Sequence, residues 1–210
     1  MPDFATLQKD IQRHLNDRSG TIFAEPDDFQ NALEDALREI ALIRDPKSHK
    51  EIFPREFMAF MSTEATELAI EEGDLITLPT DSLRIIGGHI GASDIVAVRG
   101  MDYEWRKNEA ITVPTLGDPW LVQRGGKWEV WPIGNWHNSP LKATIRYVKN
   151  PPPYENAHPA IVRAMTFFAA RNMAFDKEWG NLGTLLQQRG NAALSTAIGI
   201  PFASQTEEKT

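Results

Sequence analysis

The residues able to do chemistry are few and scattered. Glu64, Glu67, Glu71, Glu72 and Asp74 form an acidic run, and two carboxyl groups held roughly 5–9.5 Å apart are what glycoside hydrolysis requires. Glu67 or Glu71 would be the acid of such a pair. No complementary signature accompanies the run, so it reads better as a solvated strand-and-turn surface, or as a channel lining that repels phosphate. The five histidines, at positions 14, 49, 89, 137 and 158, follow no ligand spacing, and surface or helix-end positions are expected for them. Gly87-Gly88-His89-Ile90-Gly91 comes nearest to a phosphate-cradling loop. It lacks the spacing and a following amphipathic helix, and reads as a tight turn between strands. The chain contains no G-x-S-x-G elbow, P-loop, H-E-x-x-H or G-x-G-x-x-G pattern. The expectation is no enzyme, no catalytic residue, no cofactor and no metal.

Aromatic residues carry a stronger signal. Of 6 tryptophans, Trp105, Trp120, Trp128, Trp131 and Trp136 fall in one stretch, more than a small core requires. Trp136 and His137 sit in the connection Pro132–Pro140, where an aromatic could stack on a sugar or base. A place in the core or at a subunit interface is the favoured reading, because tryptophan is enriched at interfaces.

The elements that position these residues follow from periodicity. Phe4, Leu7, Ile11 and Leu15 recur at helical spacing with Asp3 as N-cap, predicting a helix over about Asp3 to Asn16. Pro26, Asp27 and Asp28 open a second helix, whose stripe is Phe29, Leu33, Ala36, Leu37 and Ile40 and which ends at Asp45-Pro46. Short strands then replace helices: 66–70, 74–78, 83–86, 94–99, 120–124, 127–131 and 142–148. Gly125-Gly126 can take the positive φ of a two-residue hairpin loop. That loop sets Arg124 opposite Lys127, Gln123 opposite Trp128, Val122 opposite Glu129, Leu121 opposite Val130 and Trp120 opposite Trp131. Leu141, Ala143, Ile145 and Tyr147 alternate onto one face of the last strand.

Pro151-Pro152-Pro153 closes this region, and His158-Pro159 opens a helix with Ile161, Ala164, Met165 and Phe168 on one face. Phe167 and Phe175 fall off the stripe, so this helix is either central or shared with a neighbouring subunit. Leu182, Leu185 and Leu186 mark a further helix with a candidate break at Gly190, and residues 198–210 read as a tail. The organisation is α+β: a bundle of N-terminal helices (1–50) and C-terminal helices (151–197), an inserted antiparallel β module (51–150) and a docking tail (198–210).

Composition narrows the class further. The chain has 210 residues, 41% hydrophobic and 24% charged, typical of a globular protein. It holds no cysteine, which excludes disulfides, thiol nucleophiles and cysteine-ligated metals. A net charge of −7 with no basic segment makes the chain a poor candidate for a dedicated nucleic-acid binder, since duplex affinity rests on Lys and Arg displacing counterions. Apolar stretches are too short to span a bilayer, and Met-Pro-Asp-Phe lacks the pattern of a secretory leader, so a cytoplasmic origin is expected.

Specific residues carry a resemblance. They run from Leu78-Pro-Thr-Asp-Ser-Leu-Arg-Ile-Ile86 through Met101-Asp-Tyr-Glu-Trp-Arg-Lys-Asn108, Gly117-Asp-Pro-Trp120 and Gly126-Lys-Trp-Glu-Val-Trp-Pro132. They end with Ala143-Thr-Ile-Arg-Tyr-Val-Lys-Asn-Pro151 and the helix begun by Pro159. This pattern resembles the head-to-tail adaptor, or head completion, proteins of short-tailed bacteriophages, whose order is also two helices, a β insertion, helices and a trailing tail. The glycine-rich Ser82–Gly91 segment and the long Asn135–Ser139 loop depart from it. The resemblance implies a virion structural protein of the neck, assembled in the host cytoplasm as a ring of twelve copies. It would join the portal to the tail or nozzle protein and let double-stranded DNA pass without specific binding, with no membrane partner.

Under that resemblance, Phe167, Phe175, Trp179, Leu182, Leu186, Ile198, Ile200, Pro201 and Phe202 are the candidate portal or subunit interface. Trp105, Trp120, Trp131 and Trp136 are the candidate tail-facing or inter-subunit aromatics. The alternatives are a β-rich module binding carbohydrate or nucleotide, and a hydrolase of cell-wall glycan.

Overall fold

A computed structural model describes residues 3–17, 20, 22–23, 25–43, 55–95, 97–99, 114–124, 126–133, 136–137 and 140–199. The fold is α+β, with two compact units: Met1–Met61 together with Pro151–Thr210, and the inserted Ser62–Asn150. The first is helical and the second is built of strands. Asp45-Pro46, Trp105, Ile200, Pro201 and Phe202 lie outside the described residues.

The inserted unit holds two four-stranded sheets. In the first, β1 (Ser62–Leu68), β8 (Ala143–Lys149), β3 (Ser82–Ile90) and β4 (Ser93–Asp94) pair antiparallel in that order. In the second, β2 (Leu75–Ile76), β7 (Lys127–Trp131), β6 (Trp120–Arg124) and β5 (Ala97–Arg99) lie in order. Here β5 runs parallel to β6, so this sheet is mixed where an antiparallel module was expected.

The β6–β7 hairpin has the register its Gly-Gly loop demands, from Trp120 opposite Trp131 to Arg124 opposite Lys127. Alternation along the strands sends Ile85, Ile90, Ala143 and Ile145 from one sheet, and Ile76, Leu121 and Val130 from the other, into one core with Trp136. Trp120, Val122 and Trp131 form a second buried cluster.

Two sequence expectations are corrected in this unit. Gly87 and Gly88 do not form a turn. They lie inside β3 at a register shift opposite β8, and a side chain at Gly88 would bring Cβ to 2.3 Å from the Thr144 carbonyl oxygen. The glycine admits a close backbone approach. Strand structure also begins at Ser62, because residues 55–59 form a short helix, α3 (Arg55–Ala59), ahead of it.

In the helical unit, α1 (Phe4–His14) starts where Asp3 accepts hydrogen bonds from Thr6 N at 2.8 Å and Thr6 Oγ1 at 3.1 Å. The carboxylate of Asp17, 2% exposed, accepts from the amides of Ile22 and Phe23 and so organises the next connection. Pro26 begins α2 (Pro26–Ala41), whose predicted stripe is fully buried. The helices α4 (Pro159–Asp176) and α5 (Gly180–Ile198) complete the unit, and α4 packs against α1, α2 and α5. Every residue of α4 from Ala164 to Arg171 is buried, so its all-round apolar character reflects a central position within one chain.

α5 does not break at Gly190. It runs on to Ile198, which was expected in the tail, and ends at Gly199 in the left-handed region (φ 67°). Gly190 is where Phe168 of α4 is seated, since a Cβ there would lie 2.8 Å from the ring. Gly183 seats Phe175 in the same way, at 2.3 Å. Both pairs are seven residues apart on their helices, which holds the antiparallel hairpin in one register. Arg171 lies between the seats and reaches Gln187 of α5 and both carboxylate oxygens of Glu39 on α2, with Nη1 to Oε1 at 2.9 Å.

The two seats should respond differently to a methyl group. Phe168 is 1% exposed and has nowhere to move, whereas Phe175 is 48% exposed and can swing outward. Gly190→Ala should therefore incur overpacking strain of about 1–3 kcal/mol, against roughly 1 kcal/mol gained in helix propensity, and lower stability on balance. Gly183→Ala should come out near neutral. Urea unfolding of the two variants checks this, and equal effects would refute the seating argument.

Candidate functional site

Two carboxylates of the acidic run are held in ion pairs with basic residues on neighbouring strands. Glu64 on β1 is an ion-pair partner of Arg146 on β8, with Nε to Oε1 at 3.0 Å. Glu71 accepts from Lys127 Nζ at 2.8 Å and from Thr77 Oγ1 at 2.9 Å. The Lys127 hydrogen bond, followed by that of Thr77, holds the Glu71 carboxyl below its ordinary value, whereas a glycosidase acid needs its pKa raised. Glu67 and Glu72 are exposed, and Glu67 lies with φ 57° at a register shift of β1. Among the described residues, no group of three His, Asp or Glu side chains is placed to hold a metal ion.

Asp74 separates from the run because it is fully buried, in the left-handed region at φ 58°. One carboxylate oxygen accepts from Trp136 N at 3.0 Å and His137 N at 2.7 Å, and lies 2.9 Å from His137 Nδ1. The Asp74 carbonyl accepts from Val130 N at 2.8 Å. A single residue thus ties the connection after β7 to the turn before β2. The Trp136 indole donates to the Pro132 carbonyl at 2.9 Å and is 3% exposed. With its ring in the core, Trp136 offers no face for a sugar or base to stack on.

Trp120 and Trp131 are 3% and 7% exposed, and Trp131 Nε1 donates to buried Glu129 at 2.7 Å. The expectation that Trp120, Trp131 and Trp136 face a tail protein or neighbouring subunit is therefore corrected: their surface is already used inside the module. Leu186 is fully buried within the helical unit, and the expectation of an interface position is corrected for it, whereas Phe167, 5% exposed, lines a cleft along α4 and α5. Trp179 and Leu182 are half-buried, with Trp179 edge-on to Phe23 at 5.9 Å. Ile198 is half-buried at the end of α5, while Phe175 on α4 and Leu185 on α5 are 48% and 42% exposed.

The helical unit contains a feature no motif announced. Arg163, Phe167, Arg189, Ala192, Ala193 and Thr196 line an open cleft of about 290 Å³ along α4 and α5. His14 of α1 stacks on Phe167 with centroids 4.1 Å apart, and the Arg163 guanidinium lies 5.8 Å from the same ring. Burial pushes His14 below its ordinary pKa, and the positive charges of Arg13, Arg189 and Arg163 add to that, opposed by Asp10. The cleft is thus a cationic site on a protein of net charge −7. Its lining residues come from two helices and lie up to 33 positions apart, so sequence spacing could not reveal it.

No family model and no curated protein matches this chain. No helix among the described residues is long and apolar enough to cross a membrane.

Removing the Asp74 carboxylate should leave the Trp136 and His137 amides unpaired, at about 1–3 kcal/mol each. Asp74→Ala should therefore destabilise by roughly 2–6 kcal/mol, and Asp74→Asn, which keeps an acceptor oxygen, by clearly less. Chemical denaturation followed by tryptophan fluorescence measures both. A second test concerns acid. The folded His14 resists protonation while the unfolded imidazole protonates near its ordinary pKa of about 6.5, so its contribution is full above that pH and is lost as pH falls below it. His14→Phe keeps the stacked ring and removes the proton site, so its melting temperature should fall less than wild type's between about pH 7 and pH 5.

Proposed function

We propose that this chain is a structural subunit of a virion neck. It forms an oligomeric ring that joins the portal of a tailed bacteriophage to its tail and continues the channel through which DNA leaves. The observation that supports this most is the element order. Helices from both ends of the chain make one unit and a β module is inserted between them, the order of the adaptor proteins that the sequence resembles.

The charge supports the same reading. A net charge of −7 suits a conduit that must not hold duplex DNA by its phosphates. Exposed Phe175 and half-buried Trp179 and Leu182 are among the described residues available to a subunit or portal contact. In the sequence that follows Gly199, Ile200, Pro201 and Phe202 are the residues assigned to portal docking.

Purified chain should form rings visible by negative-stain microscopy, alone or on a portal assembly from the same phage. A monomer that ignores the portal at all concentrations would overturn the proposal. Truncation after Gly199 should lower portal binding at least tenfold while leaving the unfolding transition of the helical unit unchanged, as read by pull-down and thermal melting.

A further inference from the structure

The cationic cleft has an unmet charge. Arg163 and Arg189 are exposed and make no ion pair among the described residues, while Arg13, next to His14 in the chain, pairs with Asp10 at 2.9 Å. Excess positive charge beside an aromatic floor favours a carboxylate-bearing partner. The same helical unit carries the opposite charge elsewhere. Glu25, Asp27 and Asp28, at the start of α2, are all exposed and without an ion pair among the described residues. Three carboxylates exceed the half charge that a helix N-terminus offers them.

The two patches cannot satisfy each other within one copy. The start of α2 lies at the C-terminal end of α4, where Phe23 packs on Phe29 and Trp179 and lies 5.6 Å from Lys177 Nζ. Arg163 and Lys177 are both on or next to α4, and their separation along the helix is about 20 Å at 1.5 Å per residue. That is more than twice the distance over which salt screens exposed charges, about 8 Å.

We infer that the α4–α5 cleft receives the acidic first turn of α2 from a second copy of the chain, as one half of a head-to-tail contact. This inference rests on the ring proposed above. Donor and receiver are different patches, so the contact is heterologous, the kind that closes into rings. Exposed ion pairs are individually weak. The charges therefore set the order and rate of docking between copies, while apolar surface holds the assembled contact.

A charge-reversal experiment tests this. Self-association is measured by sedimentation at about 50 mM and 500 mM salt, and on the portal where assembly needs it. Arg163→Glu with Arg189→Glu should weaken association about tenfold or more at the lower salt, with a smaller effect at the higher. Asp27→Arg with Asp28→Arg should do the same, and an equimolar mixture of the two double variants should restore assembly. The neutral pair Arg163→Gln with Arg189→Gln, with circular dichroism on every variant, separates loss of contact from loss of fold. Wild-type-like assembly of the folded variants, or an effect on portal binding alone, would overturn the cleft assignment and leave the ring intact. A wild-type chain that never assembles would overturn the ring itself, and this contact with it.

Discussion

The helical unit depends on one steric constraint: two phenylalanines of α4 lie where α5 has no side chain. Phe168 and Phe175 occupy the space above Gly190 and Gly183, and the common spacing of seven residues permits a single antiparallel register. Close approach of the two backbones covers α4 on the side that α1 and α2 leave open. The consequence reaches the surface, because the same register places Arg189 of α5 beside Arg163 and Phe167 of α4. The cleft exists because the glycines let the helices meet.

Arg171 adds specificity to that contact. Its side chain is 10% exposed, yet it holds a guanidinium between Glu39, Gln187 and Asn172 and lies 5.1 Å from the Phe168 ring. A buried charge is weak evidence for stability, since desolvation offsets much of the Coulomb gain. Its effect is directional: a planar fork satisfied on α2 and α5 together disfavours any sliding of α4 between them. The apolar faces of α2 and α4 would tolerate such sliding if they were alone.

What could be read in advance divides along the range of the interactions. The α1 and α2 stripes and the β6–β7 register were legible because they depend on neighbours within one helix or across one two-residue loop. Gly190 was misread because a glycine inside a helical pattern looks the same whether it breaks the helix or admits a ring from elsewhere. Gly88 was misread for the same reason in a strand. The tryptophans were recognised as excess, but composition does not say whether an indole faces its own core or a neighbour. Asp74 was grouped with an exposed run because its partners are 62 and 63 positions away. The cleft gave no signal, since isolated arginines on two helices form no pattern until the helices are packed.

The insertion also bears on how the chain is made. Ser62 pairs with Val148, so the first and last strands of the β unit are neighbours in one sheet. During synthesis α1 and α2 emerge first with their apolar faces uncovered, and the helices that cover them arrive only after the whole insert has been translated, several seconds later at ~5–20 residues per second. An unstructured insert would leave a long loop to close at an entropic cost that grows with its length. Once β1 and β8 have paired, the ends of that loop are already side by side. The β unit thus acts as a clasp for the bundle, and the order of birth along the ribosome favours its closing before α4 and α5 arrive.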